Sequence, residues 1–148
     1  MSLILRPYQP TDANVIATWL KSEYLMRQWC ADRYERFPVT PENMNSYHQQ
    51  YIDGHNSIAL TMVDGEEIVG YITLRTPADD LSEQRLGFVI VDQAQSGCRY
   101  IQTDPSIFFW PIKIPLKHDD LICSLHSFFG VRNMVTNHRF LSSYLTNS

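Results

Sequence analysis

The chain has 148 residues, of which 44% are hydrophobic, so residues 1–148 are predicted to form a single domain with a sizeable core. The formal net charge of −4 argues against a dedicated nucleic-acid binder, because such proteins usually carry a basic face. The sequence has neither an 18-residue apolar run nor a basic leader before an apolar stretch, so we predict no membrane span and no secretion signal.

The cysteines and histidines predict no metal site. Three cysteines and five histidines are scattered along the chain without the spacing of metal ligands. Because no secretion signal is predicted, the simplest interpretation is a cytoplasmic protein with reduced thiols.

The chain begins with a predicted strand and helix. Leu3–Arg6 is a short apolar strand that ends before a proline. Thr11 or Asp12 can cap the helix that follows. The apolar residues that recur there at helical spacing predict one buried face: Val15, Ile16, Trp19 and Leu20.

A second helix is predicted from Thr40. Thr40 suits the N-cap, Pro41 suits the first helical position, and Glu42 suits the positive end of the helix dipole. Asp53-Gly54 is predicted to end this helix. Its inner face is predicted to carry Met44, Tyr47 and Tyr51.

The segment between these helices, RQWCADRYERFPVT, is both aromatic and charged. In one interpretation it is a connecting loop whose Trp29, Tyr34 and Phe37 complete the core, since large aromatic side chains usually serve packing. In another, the loop walls a substrate pocket, and Trp29 and Tyr34 bind the substrate. A third interpretation is a small interaction module in which Trp29–Phe37 holds a peptide.

Three strands are predicted next. Ser57–Val63 and Glu66–Arg75 are strand patterns joined by Asp64-Gly65, a dipeptide typical of two-residue hairpin turns. Leu86–Val91 is an apolar strand rich in β-branched residues. The predicted order is therefore β-α-α-β-β-β.

This order of elements resembles the N-terminal part of the GNAT superfamily of acyl-CoA-dependent N-acetyltransferases. Three segments carry the resemblance: LILRPYQPTDANVIATWL, IALTMVDGEEIVGYITLR and RLGFVIVD. The resemblance covers about residues 3–92. It implies an α/β (α+β) fold, with a mixed, mainly antiparallel sheet and flanking helices. It also implies transfer of an acetyl group from acetyl-CoA to a primary amine of a small molecule or peptide.

The resemblance further implies where acetyl-CoA binds. The family strand that matches Leu86–Val91 splays from its neighbour, and its backbone groups pair with the pantetheine arm. The positions carried over as cofactor-binding are Phe88, Val89, Ile90 and Val91. The backbone amide near Val89 would polarise the thioester carbonyl.

Glu83 is the catalytic candidate, as the general base. It lies just upstream of the cofactor strand and, by strict alternation, shares a strand face with Arg85, Gly87, Val89 and Val91. The alternative is a solvated loop acid beside Ser82. Family members often use a tyrosine of the C-terminal half as the acid, but Tyr100 and Tyr144 lie in no recognisable family context, so no acid is assigned.

The sequence departs from the family after Asp92. A loop of pattern Q/R-x-x-G-x-G/A should cradle the pyrophosphate there, but Gln93–Tyr100 lacks the second small residue. Residues 1–94 contain six alanines and six glutamates, whereas residues 95–148 contain neither. We therefore regard residues 95–148 as an atypical C-terminal segment.

A shifted reading frame would explain this change. Ser96–Gln102 can be encoded TCN-GGN-TGY-CGN-TAY-ATH-CAR, which one base later permits Arg-Gly-Val/Ala-Gly-Ile/Thr, close to the missing loop. The hypothesis is a frameshift near Gln95; the alternative is a divergent family member with a recruited C-terminus. A frameshifted chain could be a remnant that binds acetyl-CoA weakly or not at all, and its apolar tail, if exposed, would favour a homodimer.

Overall fold

A computed structural model of the protein describes residues 3–76, 83–92, 113–115 and 134–136. The elements in chain order are β1 (Leu3–Pro7), a 3-10 turn (Pro10–Asp12), α1 (Ala13–Trp19), α2 (Glu23–Cys30), α3 (Pro41–Tyr51), β2 (Ser57–Asp64), β3 (Glu67–Arg75), β4 (Glu83–Val91), β5 (Lys113–Pro115) and β6 (Met134–Thr136). The predicted order of one strand, helices and three strands is confirmed, with α2 as an additional helix. The predictions for Gln93–Tyr100 and for Tyr144 lie outside the described residues.

The strands form one sheet in the order β5-β4-β3-β2-β1-β6. β1 to β4 are antiparallel neighbours, β5 adds to β4 in antiparallel fashion, and β6 runs parallel to β1. This architecture confirms the predicted α/β class with a mixed, mainly antiparallel sheet. Among the described residues, no helix has the length and hydropathy to cross a bilayer.

α3 begins as the sequence predicts. The Thr40 hydroxyl accepts a hydrogen bond from the Asn43 N–H at 3.2 Å, the Asn43 side chain accepts from the Thr40 N–H at 3.1 Å, and Pro41 is the first helical residue. The inner face differs from the prediction. Tyr51 is 51% exposed, and the helix instead buries His48 together with Met44.

α2 was not predicted, because the aromatic and charged segment between the other helices was interpreted as a loop from Arg27 onward. Ser22 caps this helix by accepting a hydrogen bond from the Leu25 N–H at 3.2 Å. Glu23 and Arg27 form an i,i+4 ion pair at 3.2 Å. Arg27 also donates to the Tyr34 carbonyl at 2.9 Å and thereby ties the following turn to the helix.

Asp12 precedes α1 as predicted, but its carboxylate does not cap that helix. It accepts two hydrogen bonds from Arg6, at 2.7 and 2.8 Å, and one each from the Gln9 N–H and the Thr61 hydroxyl. Burial alone would raise the pKa of Asp12, but these hydrogen bonds and the charge of Arg6 outweigh burial and lower it. Asp12 therefore joins the start of α1 to β1 and β2.

The face of α1 and the hairpin turn each differ in detail from the prediction. Ile16, Trp19 and Leu20 are buried as expected, but Val15 is 39% exposed. The turn between β2 and β3 is centred on Gly65-Glu66 rather than on Asp64-Gly65, because Asp64 pairs with Glu67. Gly65 has a φ of 63° and Glu66 is not among the positive-φ residues, which is the pattern of Gly-X turns rather than of Asp-Gly turns.

One hydrophobic core cluster lies between the three helices and one face of the sheet. Because side chains alternate along a strand, Tyr71, Thr73 and Arg75 of β3 belong to this helix-covered face. Ala59, Tyr71 and Ile90 pack there against the helices. The helix residues of the same core cluster are Ala13, Ile16, Trp19, Met26, Trp29, Cys30 and Met44.

Candidate active site

β4 contains a β-bulge beside the helix-covered core. Tyr71 of β3 pairs with Ile90 and Thr73 pairs with Gly87, so Phe88 and Val89 together lie opposite the single residue Ile72. Phe88 has a φ of 47°, which is uncommon for a residue with a large side chain. The Thr73 hydroxyl donates to the Gly87 carbonyl at 2.7 Å and holds the strand next to the bulge.

The bulge changes what the backbone of β4 can bind. An extra residue interrupts the hydrogen-bond ladder to β3. On the opposite edge, β5 pairs with Glu83, Gln84 and Arg85, and within the described part of the chain no strand pairs with that edge from Leu86 onward. The four positions carried over from the resemblance, Phe88 to Val91, therefore lie on the part of the strand whose outer edge has no described strand partner.

Aromatic side chains surround the bulge from the helix side. The Phe88 ring centroid lies 5.5 Å from those of Trp29 on α2 and Tyr47 on α3. Tyr34 stacks on Trp29 at 5.9 Å and contacts Tyr47 at 5.4 Å. We call Trp29, Tyr34, Tyr47 and Phe88 the aromatic cluster.

The two predicted substrate residues, Trp29 and Tyr34, are thus brought together, and both are buried. They are 3% and 7% exposed, so both side chains pack in the core, with or without a role in substrate binding. The Nε1 hydrogen of Trp29 is buried and has no hydrogen-bond partner among the described residues. A buried donor without a partner costs about 1–3 kcal/mol unless a ligand or water accepts its hydrogen bond.

The burial of Trp29 and Tyr34 weakens the interpretation of this segment as a peptide-binding module. Of the three large aromatics in Trp29–Phe37, only Phe37 is substantially exposed, at 37%. A peptide held by this segment would therefore contact Phe37 and few other rings. The interaction-module interpretation loses the aromatic surface on which it depended.

A pair of buried titratable side chains, His48 and Tyr71, lies next to the aromatic cluster and was not predicted. His48 Nε2 is 2.7 Å from the Tyr71 hydroxyl, and its ring stacks on Tyr8 at 3.9 Å. Burial lowers the pKa of His48 to about 4, against a smaller opposing effect of Asp53, and burial raises the pKa of Tyr71. Both groups are therefore neutral near pH 7.

Glu83 is the first residue of β4 and pairs through its backbone with Pro115. Its side chain lies outside the described part of the structure. Glu83 was selected because strict alternation gave it the same strand face as Val89 and Val91, and this alternation is wrong beyond the bulge. Gly87 pairs with Thr73 on the helix-covered face, whereas Val91 pairs with Gly70, so the extra residue moves Val91 to the opposite face.

No group of three histidine, cysteine, aspartate or glutamate residues in the described ranges could hold a metal ion. Cys30 is buried, and burial raises the pKa of its thiol. The groups that surround the bulge in the described ranges include backbone amides, aromatic rings and protonated tyrosine hydroxyls.

Comparison with solved structures shows the same fold in acetyltransferases. A spermidine N-acetyltransferase from Vibrio cholerae in complex with CoA and spermine matches with a TM-score of 0.51 and 14% identity over 66% of this chain and 55% of that chain. A chimeric spermidine N-acetyltransferase from Vibrio cholerae and a human enzyme matches with a TM-score of 0.50 and 14% identity over 99% of this chain and 78% of that chain. An acetyltransferase from Thermus thermophilus gives a TM-score of 0.47 and 18% identity, over 66% of this chain and 61% of that chain.

The chain thus matches little more than half the length of the Vibrio enzyme bound to CoA and of the Thermus acetyltransferase. None of the curated proteins with which the sequence was compared matches it. A family model of the GNAT acetyltransferase domain, however, matches residues 2–103, well over half of the chain. The chain therefore belongs to the GNAT acetyltransferase domain family.

Proposed function

We propose that this protein transfers an acetyl group from acetyl-CoA to a primary amine of a small molecule or peptide. The observation that carries the proposal is the bulged strand β4, whose outer edge has no described strand partner from Leu86 onward, in a chain of the GNAT family. The fold likeness to a spermidine N-acetyltransferase in complex with CoA and spermine supports an amine acceptor in general terms.

Acetyl-CoA would bind along β4. The backbone N–H and C=O groups of Phe88, Val89, Ile90 and Val91 would pair with the pantetheine arm as a peptide pairs with a sheet edge. The bulge supports this role because it interrupts pairing with β3 next to Val89. The amide near Val89 would then donate a hydrogen bond to the thioester carbonyl and stabilise the oxyanion that forms on it.

The reaction needs one proton removed and one supplied. The acceptor nitrogen attacks the thioester carbon, a C–N bond forms, and the C–S bond breaks. The nitrogen loses a proton to a base, and the CoA thiolate gains one from an acid or from water. We propose Glu83, at the start of β4, as the base; no residue is proposed as the acid.

Trp29 and Tyr34 are proposed to bind the acceptor. Trp29 contacts Phe88 of the bulge and has a buried N–H without a described partner. Such an N–H is suited to donate a hydrogen bond to a substrate oxygen. Tyr34 supports the Trp29 ring by stacking on it.

Activity in this chain depends on the segment after Asp92. The alternative to an active enzyme is a remnant in which a frameshift near Gln95 has replaced the phosphate loop; the loss of alanine and glutamate after residue 94 and the loop encoded one base later support it. Such a chain would be an impaired enzyme with weakened acetyl-CoA binding. Sequencing of the gene tests this: codons for residues 96–102 that do not encode the loop one base later would exclude the frameshift.

The localisation, the partners and the oligomeric state of the protein are also proposals. We infer a cytoplasmic protein with no nucleic-acid partner, on the basis of its net charge of −4 and its three cysteines, which are odd in number and lack metal spacing. We also infer a homodimer formed through the apolar C-terminal segment. Light scattering of the full chain at several concentrations tests the dimer, and a monomer at all of them would contradict it.

The catalytic proposal is tested by following CoA thiol release with a panel of primary amines. Val89→Pro removes the backbone N–H at the bulge and should abolish turnover, whereas the matched control Val89→Ala keeps that N–H and should keep most of it. Circular dichroism confirms that both variants fold. Equal activity in the two variants would show that the amide of residue 89 does not take part.

A further inference from the structure

Arg75 is an exposed cation on the helix-covered face of the sheet, near the bulge. It is the last residue of β3 and pairs with Ser57 on one side and Arg85 on the other. Strand alternation gives it the same face as Thr73 and Tyr71. Arg85 is three residues before Phe88, so about 10 Å of strand separates this pair from the bulge.

Arg33 lies next to the aromatic cluster on a different element. It lies in the turn after α2, where its N–H donates to the Cys30 carbonyl at 3.1 Å, and its side chain is exposed. It directly precedes Tyr34, whose ring stacks on Trp29 and contacts Tyr47. Arg33 and Arg75 therefore come from different elements that each adjoin the aromatic cluster, and we call these two arginines its rim.

The charges of both guanidinium groups act on Tyr47. Burial raises the pKa of Tyr47, and the charges of Arg33 and Arg75 oppose that increase. No described carboxylate contributes to the pKa of Tyr47. The rim around this half-buried tyrosine is therefore positive.

Among the described residues, Arg33 and Arg75 have no ionic partner, in contrast to Arg6 and Arg27. Arg6 pairs with Asp12, and Arg27 pairs with Glu23 and Asp32. Within the described ranges, no salt bridge involves Arg33 or Arg75. An exposed pair of guanidinium groups is suited to bind an anion, since guanidinium matches a carboxylate with two parallel hydrogen bonds.

We propose that Arg33 and Arg75 bind an acidic group of the acceptor, so that the substrate is a primary amine that also carries a carboxylate, such as an amino acid. This inference rests on the proposed acetyl transfer and specifies its acceptor. The amine would lie toward Phe88 and the carboxylate toward the two arginines. A polyamine, by contrast, would bring further positive charge to a positive rim.

The position of the rim favours the acceptor over the phosphates of acetyl-CoA. The backbone positions proposed for pantetheine continue from Phe88 through Val91 toward Asp92. Arg75 pairs at the other end of the described strand, on the far side of the bulge. The cofactor and the acidic group would thus occupy opposite directions from the reacting carbon.

The test compares amino acids with their carboxamides as acceptors for the full chain. Common L-amino acids, each paired with its carboxamide at equal concentrations of unprotonated amine, and spermine are assayed by CoA thiol release. The amino acids should be the better substrates. Arg33→Gln and Arg75→Gln should each lower kcat/KM for the amino acids by roughly tenfold or more, through KM, and leave the carboxamides nearly unchanged.

Arg36→Gln is the matched control, because Arg36 is exposed in the same loop and has no resolved effect on Tyr47. It should keep the wild-type preference. If the wild-type protein acetylates amino acids and carboxamides equally well, or prefers spermine, the inference is overturned before any variant is measured. The proposed acetyl transfer would still stand. A change confined to the KM for acetyl-CoA would also overturn it, by assigning the arginines to a cofactor phosphate. No turnover with any amine would overturn the proposed function itself.

Discussion

Protonation of His48 is expected to destabilise the fold in mild acid. The side chain is 4% exposed, its Nε2 is 2.7 Å from the Tyr71 hydroxyl, and its ring stacks on Tyr8 at 3.9 Å. Burial lowers its pKa from 6.5 to about 4. A charged imidazolium there would have lost its water without a carboxylate in direct contact.

The sign and size of the effect follow from these pKa values. Between pH 6.5 and about 4 the unfolded chain binds the proton and the folded chain does not, so stability falls as the pH falls. The stabilisation is fully present above pH 6.5 and is lost as the pH approaches 4. The gap between the two pKa values corresponds to a loss of ~3 kcal/mol, most of it by about pH 4.5.

Urea unfolding at four pH values from about 7.5 down to about 4.5 measures this loss. His48→Gln cannot titrate, but its amide can still hydrogen-bond to the Tyr71 hydroxyl. The variant should be less stable than wild type at about pH 7.5, and its free energy of unfolding should fall by ~2–3 kcal/mol less on acidification. His55→Gln, at an exposed position between α3 and β2, should keep the wild-type pH dependence.

Parallel pH profiles for wild type and His48→Gln would refute the reasoning. They would mean that His48 is solvated well enough to accept a proton without cost. A loss of the pH dependence in His55→Gln would show that His55, and not His48, causes it.

Three further changes test other parts of the structure. Asp12→Asn should cost ~3 kcal/mol in urea unfolding at pH 7, because it leaves Arg6 without its buried partner. Wild type should lose stability as the pH falls below 3.8 through the lowered pKa of Asp12. Thr40→Ala should cost ~1 kcal/mol by the same measurement, because it removes the N-cap of α3. Thr73→Val should cost ~1 kcal/mol and weaken acetyl-CoA binding in calorimetry, because the Gly87 carbonyl beside the bulge loses its donor; a variant with wild-type affinity would show that this hydrogen bond does not shape the strand.

Local signals predicted most of the described fold. Thr40 and Pro41 placed the start of α3, and the strand patterns placed β2, β3 and the apolar part of β4. α2 was missed although Ser22 and Glu23 provide a cap and an acidic first turn, because the aromatic density of the segment favoured a loop. The hairpin turn was shifted by one residue, since Asp-Gly and Gly-Glu both fit a two-residue turn until the register is known.

The site was less predictable because its features are tertiary. The isolated Gly87 within an apolar strand is a recognised sign of a bulge, but the extra residue and the φ of Phe88 depend on pairing with Thr73. The strict alternation predicted from Gly87 to Val91 failed for the same reason. The contact between His48 and Tyr71 joins a helix to a strand 23 residues away, and no local pattern encodes it.

The central claim is that the backbone of β4 around the bulge binds acetyl-CoA. Titration of acetyl-CoA into the full chain by calorimetry tests it most directly, with Val89→Ala and Val89→Pro titrated in parallel. The account predicts saturable binding to wild type and to Val89→Ala, and greatly weakened binding to folded Val89→Pro. No binding to wild type, or equal binding to all three proteins, would contradict it.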